Sequence, residues 1–184
     1  MKTNILKSVI KTLVFVFLFI SCSSDLDFDQ VNDLTLKPVF VANLAHFNVP
    51  ANQFVVDGQA QQFASDIEEF DAFRKEFFNE NLVKAELNFE IENNINRAFT
   101  LNILLLNDND KVLQTIPFAI PAYSGTSNVI KYPTEVFENE RLRLLKHTTK
   151  VGFLIQVASG PPIDENSLGN LKLRSSATVY MEIE

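Results

Sequence analysis

The sequence predicts an all-β protein: an antiparallel β-sandwich of about 8–9 strands with one or two short helices, over residues 34–184. Three observations favour this class. Apolar and polar residues alternate over long stretches, turn-forming clusters separate these stretches, and only two segments follow a helical period. A period of two places one face of each strand in a core and the other face in water.

The clearest predicted strand runs from Leu82 to Glu92, and its apolar positions are expected to face the core: Val83, Ala85, Leu87, Phe89 and Ile91. Residues 99–106 repeat the alternation, and residues 111–120 return after a turn at Asn107–Asp110. The last strand is predicted at residues 171–183. The strands at 82–92 and 171–183 have one wet face, as antiparallel sheets allow, whereas Leu104 and Leu106 make the end of the strand at 99–106 apolar on both faces.

Shorter strands are predicted at 35–45, 52–56, 59–63, 127–132 and 151–158. Asp57-Gly58 predicts a two-residue hairpin, because glycine tolerates the positive φ of a type I′ turn. This number and spacing of strands resembles the immunoglobulin-like β-sandwich. The resemblance is one of architecture alone, since a chain with one cysteine and no tryptophan lacks that family's disulfide and tryptophan core.

Two segments depart from the strand period. Ser65 and Glu68 have the spacing of a capping box, at the start of an amphipathic helix predicted over residues 66–79. Its apolar side chains fall within an arc of about 140°: Ile67, Phe70, Phe73, Phe77 and Phe78. A second short helix is predicted from Glu138 to Lys146, as a crossover between the two sheets.

The first 21 residues have the three-part order of a secretory signal peptide. Lysines open the segment, an apolar run fills residues 13–20, and Ser21-Cys22 stands at the expected cleavage site. A helix over that run would be about 12 Å long, which is too short for a hydrocarbon core of about 30 Å. A signal peptide is therefore favoured over a transmembrane helix.

Residues Phe19 to Cys22 resemble the lipobox of bacterial lipoproteins, and the acidic segment that follows is similar to export tags of surface lipoproteins in the Bacteroidota. The resemblance covers residues 1 to about 29. It implies cleavage between Ser21 and Cys22 and acylation of the Cys22 thiol with a fatty acid such as palmitate. The expected location is the cell envelope, anchored by lipid in the outer membrane and either surface-exposed or facing the periplasm. Residues 22–33 are then an acidic, polar tether.

Charge narrows the range of partners. Three of the 16 Lys and Arg residues lie in the predicted signal, which leaves 13 against 23 Asp and Glu residues and a formal charge of −10 for the mature chain. A polyanion such as nucleic acid is therefore excluded as a partner. Anionic lipid headgroups are repelled as well, so attachment to the membrane is expected through acyl chains on Cys22. An envelope protein is a candidate partner.

No catalytic residue, metal site or cofactor is predicted. Lipidation uses the only cysteine, and the two histidines lack the spacing of a zinc site. The turn at Asn107 has no glycine at position six and no glutamate at position twelve, so it does not match an EF-hand loop. The Gly-x-Ser-x-Gly elbow of hydrolases is also missing. The sequence thus favours a non-enzymatic protein.

Candidate contacts with a partner or ligand are the aromatic residues Phe70, Phe73, Phe77, Phe78 and Tyr180. The phenylalanines either dock on a partner or line a lipid pocket, or they cap an open end of the sandwich. The second interpretation is favoured, because burying large apolar side chains within the domain stabilises it. Tyr180 is either a contact or a cross-strand neighbour. A binding or accessory module is the favoured function, with a carrier of an apolar ligand or lipid as the alternative and a hydrolase of envelope polymers as a third option.

Overall fold

The computed structural model describes residues 35–70, 72–126 and 129–184. Residues Leu36–Ile183 form a compact unit with its own hydrophobic core, as a domain that folds by itself requires. The predicted signal peptide, the cleavage site, Cys22 and the tether lie outside the described residues. Among the helices that are described, none is long and apolar enough to cross a membrane.

Within the described residues there are eleven strands: β1 (Val39–Pro50), β2 (Val55–Val56), β3 (Gln59–Ala60), β4 (Phe63–Glu69), β5 (Leu82–Asn93), β6 (Phe99–Leu106), β7 (Val112–Ile120), β8 (Val129–Lys131), β9 (Glu135–Phe137), β10 (Lys150–Val157) and β11 (Asn170–Met181). Two short α-helices are present in the same part of the chain, α1 (Glu76–Asn81) and α2 (Asn139–Lys146). Single 3₁₀ turns occupy Ala51–Phe54 and Ala72–Arg74.

The strands form two facing antiparallel sheets and a small hairpin. The first sheet has the order β1-β11-β5-β8, with β9 also paired to β5, and the second has the order β4-β10-β6-β7. The pairs are nested: β1 with β11, β4 with β10, β5 with β8 and β9, and β6 with β7. This connectivity is that of a jelly roll, so the predicted antiparallel β-sandwich is confirmed and its strand order is now defined.

The predicted alternation is confirmed along β5, β6 and β11, whose inward residues fill the core between the sheets: Ala85, Leu87, Phe89, Ile91, Phe99, Leu101, Ile103, Leu105, Leu171, Leu173, Ala177, Val179 and Met181. Val83 was expected to face inward, and this is wrong because its side chain is 46% exposed. The register between β5 and β11 shifts between Tyr180 and Met181, so Leu82 pairs with Met181 and is buried in place of Val83. A bulge of this kind adds one residue and reverses the alternation.

The helix predicted over residues 66–79 is wrong in its first half. Residues 63–69 form β4 and pair with β10 along their whole length, so Ser65 lies in a strand and caps no helix. The chain then makes the 3₁₀ turn at Ala72–Arg74 and the six-residue helix α1. Pairing with β10 satisfies a row of backbone groups at once, and this outweighs the local helical pattern.

The predicted strand at 52–56 is wrong in its first half, because residues 51–54 form a 3₁₀ turn. The predicted hairpin, second helix and turn at Asn107 agree with the structure. Asp57 and Gly58 have φ values of 51° and 72° and join β2 to β3 as a two-residue hairpin. Helix α2 joins β9 in the first sheet to β10 in the second, and it buries Leu142 and Leu145. Residues Asn107–Asp110 form the turn between β6 and β7, where the Asn107 Oδ1 atom accepts hydrogen bonds from the backbone of Asn109 and Lys111.

One long edge of the sandwich is closed by Tyr132. This residue follows β8, and its backbone N–H donates a hydrogen bond to Phe89 O in the first sheet. Its hydroxyl donates to Ala119 O in β7 of the second sheet, 2.8 Å away, and its ring packs on Phe118. Tyr132 therefore joins the two sheets along this edge.

Candidate functional site: an apolar cleft at the open edge

The opposite edge of the sandwich is formed by β1 of the first sheet and β4 of the second. Among the described strands, β1 pairs with β11 alone and β4 pairs with β10 alone. A cleft of about 430 Å³ opens between these two edge strands. Its floor consists of apolar side chains from both sheets: Phe47, Val49, Phe89, Ile103, Val151, Phe153 and Ile155.

The floor of the cleft is fixed by a contact across the sandwich. Phe47 pairs with buried Leu173 in register and so faces inward from β1. Its ring meets that of Phe153 in β10 edge to face, with ring centroids 6.0 Å apart and an angle of 83° between the planes. Aromatic pairs prefer this geometry. The contact holds the two sheets together beneath the opening.

A β-bulge shapes the wall on the β1 side. Between Asn43 and His46 the strand carries one more residue than β11, so Leu44 and Ala45 lie opposite Ser175. The hydroxyl of Ser175 accepts a hydrogen bond from Ala45 N at 2.9 Å and donates one to Ala45 O at 2.8 Å. Ser175 thereby satisfies the backbone groups that the bulge leaves unpaired, and its hydroxyl is already engaged.

The wall on the β4 side is acidic. Asp66 pairs with Phe153 in register and Glu68 pairs with Val151, so both carboxylates project from the same face of the sheet as the apolar floor. Both side chains are exposed at the mouth of the cleft. Glu69 and His46 also border the cleft. The site combines an apolar interior with negative charge at its entrance.

The structure places the predicted phenylalanines in different environments. Phe70 lines the cleft, Phe73 belongs to the core with 4% exposure, Phe78 is half-buried against the core, and Phe77 is 48% exposed. Their rings form a continuous series of contacts. The distance between ring centroids is 5.4 Å from Phe70 to Phe73, 6.3 Å from Phe73 to Phe78 and 5.5 Å from Phe78 to Phe77. The rings of Phe70, Phe73 and Phe78 thus pack onto the sandwich where β4 connects to β5. Of the four phenylalanines, Phe70 alone borders the cleft.

Tyr180 lies on the outer face of the first sheet, away from the cleft lining. Its hydroxyl donates a hydrogen bond of 3.1 Å to Glu86, and the ammonium group of Lys84 lies 5.0 Å from its ring centroid. The hydrogen bond to Glu86 is the main cause that raises the pKa of Tyr180. Hydrogen bonds from Lys84 and then Tyr180 lower the pKa of Glu86. The tyrosine is thus already held by its cross-strand neighbours.

Sequence reasoning missed most of the cleft, including the floor residues on β1 and β10 and the carboxylates of β4. A period of two is present in β4, but the acidic residues face inward and the large apolar ones face outward. Ala64, Asp66 and Glu68 face inward, whereas Phe63 and Ile67 are exposed on the outer face. A reversed alternation of this kind is the signal that could have identified an edge strand with an acidic inner face.

Fold and site together define a jelly-roll β-sandwich with an apolar cleft at one open edge. No protein-family model matches the sequence, and no curated protein matches it. Similar solved structures are the VP2 subviral particle of infectious bursal disease virus and a protein of Parabacteroides distasonis described as secreted.

The two likenesses are distant. The VP2 match has 13% identity and a TM-score of 0.45, and it covers 78% of this chain and 32% of that one. The Parabacteroides match has 13% identity and a TM-score of 0.41, over 64% of this chain and 38% of the other. The chain therefore spans about a third of these structures. The fold assignment rests on strand order, and neither likeness bears on function.

Proposed function

We propose that this protein is a lipid-anchored module of the bacterial cell envelope that binds an apolar group without chemically changing it. The cleft between β1 and β4 is the observation that carries the binding part of the proposal. The anchor part rests on Cys22 and the signal sequence before it. The acidic segment after Cys22, which is similar to export tags of surface lipoproteins in the Bacteroidota, supports a position at the outer membrane, either surface-exposed or facing the periplasm.

The properties of the cleft support binding. Its volume of about 430 Å³ falls within the range of roughly 300–1,000 Å³ that is usual for ligand pockets. Apolar side chains dominate the floor, and a few polar groups stand at the rim, which is the usual composition of a binding site. Phe47 and Phe153 hold the floor in place through their edge-to-face contact, so a ligand meets a preformed surface.

A carrier of a lipid or another apolar molecule is the second candidate function. The same cleft favours it, because an acyl chain would contact the floor between the sheets. Native mass spectrometry of residues 22–184 carrying Cys22→Ser, which contain the whole compact unit, separates the two. Co-purified lipid favours the carrier, whereas an empty domain that binds an apolar side chain of an envelope protein favours the module.

Cys22→Ala tests the anchor. We expect the variant to leave the membrane fraction almost completely, because stable attachment requires about two acyl chains and this chain would carry none. Cell fractionation with metabolic labelling by an alkyne fatty acid measures the effect. Ser24→Ala is the matched control and is expected to retain both label and membrane attachment. Unchanged membrane retention of Cys22→Ala would contradict the proposed anchor.

Ala64→Phe tests the cleft. Ala64 faces the cleft from β4, where it pairs with Ile155, so a phenylalanine ring would occupy the open volume. We expect the affinity for the neutral fluorescent probe N-phenyl-1-naphthylamine to fall at least tenfold, in line with loss of the apolar contact area. Fluorescence titration of residues 22–184 carrying Cys22→Ser, with and without Ala64→Phe, measures the affinity.

Ile67→Phe provides the control for this experiment. Ile67 lies on the same strand but pairs with Gly152 on the outer face, so the same ring is added away from the cleft. The control is expected to bind the probe as the wild type does. Equal affinity in all three proteins, or no binding by the wild type, would show that the cleft is not a binding site.

A further inference from the structure

We propose that the cleft selects a cationic amphiphile, a ligand with an apolar chain and a positively charged amine at one end. This inference rests on the proposed function and specifies the ligand class of the same site. The apolar chain would contact the floor formed by Phe47 and Phe153, and the amine would lie at the mouth beside Asp66 and Glu68.

Charge complementarity is the first argument. The residues that border the cleft include Asp66 and Glu68, whose carboxylates project from the cleft face of β4, together with Glu69 and His46. Within the described ranges, no lysine or arginine borders the cleft. The entrance therefore repels an anionic head group, such as a fatty-acid carboxylate or a phosphate, and attracts a cation.

The second argument is that the two carboxylates on the cleft face, those of Asp66 and Glu68, are not neutralised by a cation of the described residues. Among the described residues, neither Asp66 nor Glu68 takes part in an ion pair. Lys150 pairs with Glu69 in register and so projects from the other face of the sheet, where its ammonium group forms an ion pair with Asp110 at 2.7 Å. A ligand amine would supply the missing positive charge, and this interaction would weaken with added salt.

The protein's own tether is a poor occupant of the site. Residues 23–33 contain Asp25, Asp27, Asp29 and Asp33 and no lysine or arginine, so the segment has the same sign of charge as the mouth. Repulsion between like charges disfavours its entry, whereas a separate ligand of opposite charge is favoured.

Isothermal titration of decylamine and decanoate into residues 22–184 with Cys22→Ser tests the inference, because the two probes share an apolar chain and differ in head-group charge. We expect decylamine to bind about tenfold more tightly at low salt, as two exposed charge contacts allow. The double substitution Asp66→Asn with Glu68→Gln should remove the preference. The pair Glu76→Gln with Glu80→Gln, on α1, changes the net charge equally and should preserve it.

Three results would overturn the inference. Equal affinity of the wild type for both probes would remove the cationic selectivity and leave the proposed function intact. Binding of neither probe would overturn the proposed function as well. An unchanged preference in the double variant, accompanied by self-association, would show that the inward carboxylates protect the edge strand from pairing instead of selecting a ligand.

Discussion

Gly169→Ala is expected to lower the stability of the domain by about 3–5 kcal/mol. Gly169 has a φ of 102°, a conformation that residues with a side chain rarely adopt. A Cβ atom at this position would lie 2.5 Å from the Asn94 carbonyl carbon and closer still to its oxygen, whereas ordinary contacts begin at 3.4 Å. Backbone strain and a backbone clash therefore add together.

The surrounding hydrogen bonds leave the segment little freedom to move. Gly169 O accepts a hydrogen bond from Ala51 N, and the next residue, Asn170, accepts one from Asn94 N through its carbonyl, both at 2.9 Å. A shift that relieves the clash would weaken these bonds, which join β11 to the chain that follows β1 and to the chain that follows β5.

Thermal unfolding measures the effect, with an expected decrease in Tm of roughly 10 °C for a domain of this size. Gly125→Ala is the matched control, because Gly125 has a similar φ of 98° and a Cβ there would meet no described atom within 4 Å. The control introduces the backbone strain without the clash, so its free energy of unfolding should fall by only about 1 kcal/mol. Similar losses in both variants would contradict the proposed clash with Asn94.

The sandwich could be predicted from sequence because its central strands are buried on one face only. In β5, in β11 and in β6 as far as Ile103, most inner residues are apolar and most outer ones polar, so the period of two directly reports the architecture. The exception in β5 is the bulge at Val83. A bulge depends on the register with the partner strand, and periodicity within one strand does not contain that information.

The cleft could not be predicted, for two physical reasons. It exists because β1 and β4 are edge strands facing each other, and which strands become edges is decided by the strand order of the whole sandwich. In β4 the acidic residues Asp66 and Glu68 also face inward while Phe63 and Ile67 face outward, so a search for an apolar inner face does not find the cleft side of this strand. The spacing of the phenylalanines after Ser65 then favoured a helix over residues 66–79. Among the described residues of that segment, the only helical elements are the 3₁₀ turn at Ala72–Arg74 and the start of the helix α1.

Asn93 shows a similar limit at the end of β5. Residues 93–97 between β5 and β6 are mostly polar, yet the side chain of Asn93 is completely buried. Its Nδ2 group donates hydrogen bonds of 2.7 Å to Arg97 O and to Pro121 O, and its Oδ1 atom accepts one of 2.9 Å from Ile95 N. Pro121 follows β7 in the second sheet, so one amide connects the turn after β5 to the opposite sheet.

Asn93→Ala should therefore destabilise the domain by about 3 kcal/mol, since each of three hydrogen bonds contributes about 1 kcal/mol and some lost partners are buried. Chemical denaturation at pH 7 measures the loss. Asn94→Ala is the control: the Asn94 amide donates one partly buried hydrogen bond to the Glu92 carboxylate, which keeps its ion pairs with Lys172 and Arg174, so its removal should cost about 1.5 kcal/mol, half as much.

Asn93→Asp tests the direction of these hydrogen bonds. The substitution keeps the size and the acceptor for Ile95 N, but it replaces the donor with a carboxylate oxygen that faces two carbonyl oxygens. Burial and this repulsion raise the pKa of the introduced carboxyl in the folded state above its ordinary value of about 3.9. Because the pKa is higher in the folded state, the loss of stability is largest at neutral pH and shrinks as the pH falls toward the pKa of the unfolded state. A variant as stable as the wild type at pH 7 would contradict the assigned donors, because a buried carboxylate facing two carbonyl groups has no means of stabilisation there.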